Sequence, residues 1–90
     1  MLEKQVENYL RKVVKENGGK IFKFVSPGNA GVADDIVLMP NSLWFIETKK
    51  PTGKLAPLQE YFKKTILKYH YVNYATLHTK EQINAWVKQL

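Results

Sequence analysis

Two short apolar runs separated by a turn constrain the fold of this chain most strongly. The first run is Ile36-Val37-Leu38-Met39, and the second extends from Leu43 to Lys49 and ends in charged residues. The intervening Pro40-Asn41-Ser42 is typical of a turn. The pattern therefore predicts a β-hairpin of two antiparallel strands.

Helices and additional strands are predicted on both sides of this hairpin, from the spacing of apolar residues and from glycine or proline at the boundaries. A helix is predicted over 2–16, ending at Asn17-Gly18-Gly19, and a strand over 20–25 precedes the two hairpin strands. After the hairpin, a helix begins at Pro57 and its apolar stripe reaches Tyr69. A strand over 71–77 and a last helix follow, and Thr79 with Gln82 three residues later has the spacing of a capping box at the start of that helix. This order predicts an α/β fold, in which one domain over residues 1–90 has a mixed four-stranded sheet flanked by helices.

The composition excludes several kinds of protein. The chain contains no cysteine, so disulfides and thiolate metal sites are excluded. It has no apolar stretch long enough to span a membrane, and its charged N-terminus lacks the apolar core of a signal peptide. We therefore expect a soluble cytoplasmic protein with no membrane partner.

The charged residues are distributed unevenly along the chain. There are 14 basic and 8 acidic residues, giving a net charge of +6. Five of the acids fall in or beside one predicted site, namely Glu3, Glu7, Asp34, Asp35 and Glu47. The rest of the surface is therefore strongly cationic. Such a surface attracts phosphate backbones, which makes nucleic acid the expected partner.

Glu47 and Lys49 lie at the end of the second hairpin strand. Alternate side chains of a strand point to the same face, so both project to one side of the sheet. A glutamate beside a lysine at the end of an apolar strand is costly unless the two are solvated or paired. The pattern alone is also compatible with an incidental exposed ion pair, so a functional interpretation needs a second carboxylate nearby.

Two aspartates, Asp34 and Asp35, follow the glycine-rich turn that precedes the first hairpin strand. Pairing of the two strands would bring one of them close to Glu47, and facing carboxylates repel each other unless a divalent cation neutralises them. Mg²⁺ suits such a site because it binds hard oxygen ligands and retains water and substrate phosphate. The two aspartates have opposite strand parity, so only one of them can face the site.

The first predicted helix offers a third carboxylate. Glu3 and Glu7 are four residues apart and share a helix face, which Val6 and Leu10 turn toward the sheet. We expect one of these glutamates at the site and favour Glu3. The alternative is plain solvation at the helix N-terminus.

These residues together resemble a known family of nucleases. Asp34 followed by Glu47-Thr48-Lys49 resembles the PD-(D/E)xK nuclease motif. The chain resembles more narrowly the VRR-NUC (virus-type replication-repair nuclease) domain in its small stand-alone phage form, through Gly31-Val32-Ala33-Asp34, Phe45-Ile46-Glu47-Thr48-Lys49, Leu55-Ala56-Pro57-Leu58-Gln59 and an N-terminal helix with Glu3. The resemblance implies a restriction-endonuclease-like αβββαβ core and Mg²⁺- or Mn²⁺-dependent endonucleolytic hydrolysis of DNA. It also implies homodimers that act on branched DNA, including four-way (Holliday) junctions.

The resemblance assigns a role to each matching residue. Asp34 and Glu47 would be ligands of one or two metal ions with help from Glu3, Lys49 would be the catalytic lysine, and Gln59 would act beside them. The spacing from Gly31 favours Asp34 over Asp35, although Ala33 stands where the family has proline. Ala56 stands where a capping serine would be expected, which predicts a weaker start of the helix at Pro57.

Basic and polar residues near the strand ends and the loop after Lys49 are candidate phosphate contacts, namely Lys20, Lys23, Ser26, Lys50 and Lys54. His70 and His78 are isolated, and we expect neither to be a metal ligand. The alternative to a nuclease is a basic DNA-binding module that does not cleave. The acidic cluster argues against that alternative, because carboxylates without a cation repel phosphate.

Overall fold

The computed structural model describes residues 1–90 and has the predicted order of elements. The elements are α1 (Glu3–Glu16), β1 (Lys20–Lys23), β2 (Asp35–Met39), β3 (Ser42–Thr48), α2 (Pro57–Ile66), β4 (Asn73–Leu77) and α3 (Lys80–Lys88). The predicted extension of α2 to Tyr69 is wrong, because the helix ends at Ile66 and Tyr69 lies in the loop before β4. None of the three helices has the length and apolar content needed to cross a bilayer.

The four strands form one mixed sheet in the order β1-β2-β3-β4. The hairpin strands β2 and β3 are antiparallel, and β4 lies parallel to β3 after the α2 crossover. Asp35 is opposite Ile46 in the β2–β3 register. The preceding residue, Asp34, therefore falls beside Glu47, as the hairpin prediction requires.

The two faces of the sheet are covered differently. Helices α1 and α3 pack together over one face, where the fully buried core includes Leu10, Ile46 and Ile83. Trp86 of α3 packs edge-on against Trp44, with ring centroids 5.6 Å apart. Helix α2 lies over the other face, on an aromatic cluster that comprises Phe24, Phe45, Phe62 and Tyr74.

The last helix begins as predicted, with one difference in detail. The Thr79 hydroxyl accepts a hydrogen bond from the backbone N–H of Gln82 at 3.1 Å. The side-chain oxygen of Gln82 accepts from the N–H of His78 at 2.7 Å, one residue before the cap. This side chain therefore fixes the end of β4 as well as the start of α3.

Gly31 holds the loop that carries Asp34 against the start of α2. Its φ is +85°, a conformation that residues with a Cβ rarely adopt. A Cβ built on Gly31 would lie 2.5 Å from the carbonyl carbon and oxygen of Leu58. The close approach of these two backbones therefore requires glycine for two independent reasons.

We expect Gly31→Ala to lower the free energy of unfolding by about 2–4 kcal/mol, because the left-handed conformation and the overlap with Leu58 each add a cost. Gly28→Ala is the matched control, since Gly28 has a φ of +82° but its Cβ would meet nothing within 4 Å. The control should cost only about 1 kcal/mol. Urea denaturation of both variants measures the difference, and equal losses would contradict the importance of the contact with Leu58.

Candidate metal centre

Three carboxylates from different parts of the chain meet at one end of the sheet. Glu3 lies in the first turn of α1, Asp34 directly precedes β2, and Glu47 lies near the end of β3. Each offers an oxygen atom, and these oxygens all lie within 4.8 Å of one another. The structure thus brings together the three residues that the sequence suggested as metal ligands.

Asp34 is fixed in place by the residue between Glu47 and Lys49. Its Oδ2 accepts hydrogen bonds from the backbone N–H of Thr48 at 3.0 Å and from the Thr48 hydroxyl at 3.2 Å. Thr48 is 1% exposed, so both bonds are sheltered from water. The sequence motif assigns no role to Thr48, because only the pairing of the two strands brings it to Asp34.

Glu47 lies deeper in the protein and is only 2% exposed. Its Oε2 is 3.6 Å from the Nζ of Lys49 and accepts a hydrogen bond of 3.3 Å from the side-chain nitrogen of Gln59. Burial and the charge of Asp34 together raise the pKa of the Glu47 carboxyl to about 8, against the opposing effect of Lys49. One lysine therefore does not compensate two neighbouring carboxylates, which is the electrostatic situation that a divalent cation relieves.

Gln59 has its amide oriented by the start of α2. Its Oε1 accepts a hydrogen bond of 2.8 Å from the backbone N–H of Ala56, as in a capping box, while no side chain takes the place of the expected serine. With the oxygen occupied in this way, the amide nitrogen faces Glu47. Gln59 therefore contacts the site as a hydrogen-bond donor to Glu47.

Asp35 and Glu7, the two alternatives to the ligands above, form a separate network. Asp35 is completely buried, and its Oδ1 lies 3.4 Å from the Nη2 of Arg11. Burial and the neighbouring Glu7 together raise the pKa of Asp35 to about 7, against the opposing charge of Arg11. Burial alone would raise the pKa of Glu7, but hydrogen bonding and the charge of Lys23, 3.1 Å away, lower it. These four charged groups connect α1 to β1 and β2 beside the carboxylate cluster.

The mouth of the centre is a polar cavity of about 220 Å³, lined by Glu3, Lys4, Glu7, Lys23, Asp34 and Thr48. Lys23, a predicted phosphate contact, lies at this mouth, and Lys4 was not anticipated. Ser26 accepts a hydrogen bond from the Asn29 side chain at 3.2 Å in the loop before Asp34. Lys20 lies opposite Leu38 at the other end of β1, so the structure does not bring it to the carboxylates.

The loop after Lys49 folds back against that residue, since a Cβ built on Gly53 would lie 3.2 Å from the Cβ of Lys49. Lys50 and Lys54 are exposed in this loop. His78 is half-buried, and its Nε2 lies 3.1 Å from the carbonyl oxygen of Gly53. The two lysines are therefore presented to solvent by a loop that His78 holds in place. His70 is exposed, and neither histidine belongs to the carboxylate cluster.

Comparison with known proteins identifies the fold. No protein-family model matches the chain. The chain is 43% identical over 58 residues to a protein described as "Putative nuclease p44", from Acyrthosiphon pisum secondary endosymbiont phage 1, and the match covers 63% of this chain and 62% of that relative. A solved structure described as a VRR_NUC domain superposes with a TM-score of 0.86 at 23% identity, covering 96% of this chain and 94% of the other. The chain therefore has the fold of the VRR_NUC domain, the domain that its motifs resemble.

Proposed function

We propose that residues 1–90 form a metal-dependent endodeoxyribonuclease that hydrolyses phosphodiester bonds in branched DNA such as four-way junctions. The observation that carries this proposal is the convergence of Glu3, Asp34 and Glu47, with oxygens within 4.8 Å of one another, beside the ammonium group of Lys49. The phage relative described as a nuclease supports the reaction class. The match spans less than two thirds of that relative, so the activity is assigned here from the site of this chain.

The three carboxylates fit Mg²⁺ or Mn²⁺, because both ions prefer oxygen ligands and leave room for water and substrate phosphate. The raised pKa of Glu47 supports the same assignment, since its buried negative charge lacks a sufficient partner in the protein alone. When bound, one or two such ions would activate water and stabilise the negative charge that develops on the phosphate.

The remaining residues of the centre position these ligands and add charge. Thr48 holds the Asp34 carboxylate, and Gln59 holds that of Glu47 through a hydrogen bond of 3.3 Å. Lys49, with a side chain only 16% exposed, supplies a fixed positive charge at the scissile phosphate. Its ammonium group donates hydrogen bonds, so it can orient either the attacking water or a phosphate oxygen.

The basic surface would bind the DNA backbone without reading its sequence. Lys23 at the mouth of the centre, and Lys50 and Lys54 in the loop after it, are the phosphate contacts nearest the carboxylates. Ser26 lies in the loop before Asp34, where small residues let a backbone approach closely. Lys20, at the far end of β1, would contact DNA beyond the cleavage site.

We propose further that the protein works as a homodimer in the cytoplasm, which is the host cytoplasm if a phage encodes it. A twofold axis would present two centres to the two strands of a branched duplex, which one domain of 90 residues does not reach alone. Sedimentation velocity over a range of concentrations tests the dimer. A monomer at every concentration, with and without a four-way junction, would contradict it.

The decisive assay compares cleavage of four-way, forked and linear DNA by the wild type and Lys49→Ala. We expect cleavage in Mg²⁺ or Mn²⁺, none in EDTA, and a loss of about 10²–10³-fold in the Lys49→Ala variant, because a positioned charge at the reacting phosphate contributes at this level. Lys88→Ala, which removes an equal charge from the far end of α3, should cleave like the wild type.

Each alternative has its own result in this assay. Cleavage that persists in EDTA would contradict the metal-dependent reaction. Full activity of Lys49→Ala would show that the lysine takes no part in the reaction. Tight binding of branched DNA without cleavage in any metal would favour the non-cleaving DNA-binding module.

A further inference from the structure

Helix α2 covers only part of its face of the sheet. Phe62 packs on Phe24 and Phe45, toward the end of the sheet that carries Glu47. The same face is open along the edge strand β1 and at its opposite end, since Phe22 is 55% exposed and Leu38 is 40% exposed. An apolar surface of this extent on a small domain indicates an interaction site.

A groove lies in this open region, below the last turn of α2. Its volume is about 330 Å³, and it is lined only by Leu43, Phe45, Ile66, Tyr69, Tyr71 and Val72. Tyr71 is 80% exposed and Tyr69 is 50% exposed, with their ring centroids 6.2 Å apart. The two rings therefore project from the loop before β4 as an aromatic edge on an apolar floor.

The residues around the groove carry only positive charge. Over residues 61–79 the chain contains three lysines and no acid, namely Lys63, Lys64 and Lys68. Lys20 lies opposite Leu38 on β1, and Leu38 lies opposite Leu43 in the floor of the groove. A second copy of this chain placed here by a twofold axis would bring these lysines toward their own counterparts. The charge favours a polyanion instead.

The groove and the carboxylate cluster lie on the same face of the sheet, at the two ends of α2. Leu43, Phe45 and Glu47 alternate along β3 and so point to one side. The four steps along the strand from Leu43 to Glu47 span about 13 Å at 3.3 Å per residue. This distance corresponds to about four nucleotide steps of a duplex strand at 3.4 Å each. One DNA molecule with a branch can therefore reach both places.

We infer that the groove beside Tyr69 and Tyr71 binds unpaired bases of single-stranded DNA, at an arm or branch a few nucleotides from the cleavage site. Stacking on exposed aromatic rings accepts any base, and the surrounding lysines neutralise the phosphates. This inference rests on the proposed function and deepens it, because among branched DNAs it favours forks and other branches with unpaired bases over a fully paired four-way junction.

Binding without cleavage tests the inference separately from the nuclease reaction. The probes are a fluorescein-labelled oligothymidylate and a blunt duplex of equal length, both measured in EDTA by fluorescence anisotropy. We expect Tyr69→Ala/Tyr71→Ala to weaken oligothymidylate binding by about 5- to 100-fold per stacked base, with duplex binding changed by less than about twofold. Tyr69→Phe/Tyr71→Phe keeps both rings and should bind both probes like the wild type.

A second measurement keeps the test decisive if the alanine variant does not fold. An oligonucleotide that contains 2-aminopurine should lose fluorescence on binding to the wild type and to the phenylalanine variant, because the base stacks on a ring. Unchanged fluorescence, or equal loss of single-strand and duplex binding in the alanine variant, would overturn the inference. Loss of self-association in the alanine variant with unchanged oligothymidylate binding would also overturn it and assign the groove to a second copy. If the probe base stacks on the protein but the protein cleaves no DNA, the proposed nuclease function is wrong and the inference about the groove stands.

Discussion

Asp34→Asn is expected to lower the rate of DNA cleavage by about 10³-fold or more while the protein remains folded. The amide oxygen of asparagine can still accept the hydrogen bonds that Thr48 donates at 3.0 and 3.2 Å, so the loop keeps its position. The charge that helps to hold a divalent cation is lost. Metal assistance contributes several kcal/mol to such a reaction, and each 1.36 kcal/mol changes the rate tenfold. Single-turnover cleavage of a four-way junction in saturating Mg²⁺ measures the effect.

Asp35→Asn is the matched control for this substitution. The two aspartates are adjacent and identical in charge, but Asp35 is buried beside Arg11 and Glu7 and does not join the cluster with Glu47. We expect this variant to retain cleavage within about tenfold of the wild type, since it removes no ligand. A larger loss in Asp35→Asn than in Asp34→Asn would reverse the assignment of the ligand.

The hairpin shows what could be predicted from the sequence about the fold. Ile36 to Met39, the turn at Pro40, and the run from Leu43 follow a local pattern, and the strands have nearly the predicted bounds. The end of α2 could not be predicted in the same way. Tyr69 continues the apolar stripe of the helix, yet it lies beyond the helix end and is half exposed. An apolar stripe in the sequence does not distinguish a residue that packs against the sheet from one that lies past the helix end and projects into solvent.

The candidate metal centre likewise depends partly on local sequence spacing and partly on contacts between residues that are distant in the sequence. Glu47 and Lys49 share a face because they are two residues apart in a strand, and their charged groups lie 3.6 Å from each other. Glu3 and Glu7 also share a face, so helix periodicity leaves both open. What separates them is the position of Lys23 on β1, which pairs with Glu7 at 3.1 Å and leaves Glu3 beside Asp34 and Glu47.

Gln59 shows a role that only the packed structure defines. The motif places a glutamine two residues after Pro57, but not the direction of its amide. The start of the helix decides this, because the backbone N–H of Ala56 donates to the oxygen of Gln59 and leaves its nitrogen to face Glu47. This bond uses only the backbone of the cap residue, so the absence of a serine there does not change the orientation of Gln59.

Without metal, the stability of the protein should fall as the pH rises through neutrality. The pKa of Glu47 is about 8 in the folded state against 4.5 for an unperturbed glutamate, so the folded state retains a proton that the unfolded state has released. The stability linked to this proton is complete below about pH 4.5 and is lost as the pH approaches 8, by about 3–5 kcal/mol in total. Asp35 acts in the same direction, but its pKa of about 7 ends its effect earlier. The decline above about pH 7 therefore reports mainly on Glu47.

Glu47→Gln should remove this decline and, in EDTA above about pH 8, make the protein more stable than the wild type. Glutamine has nearly the same shape, can still accept the hydrogen bond from Gln59, and carries no charge to bury at 2% exposure. Glu16→Gln, on the exposed end of α1, removes an equal charge and should leave the profile unchanged. Thermal denaturation of the three proteins between about pH 5 and pH 9 makes the comparison.

Added Mg²⁺ should then raise the melting temperature of the wild type at high pH and leave that of Glu47→Gln unchanged, because the ion restores stability only where it binds the buried carboxylate. A Glu47→Gln variant that is less stable than the wild type at every pH in EDTA would contradict this expectation, because it would show that the charged carboxylate stabilises the fold.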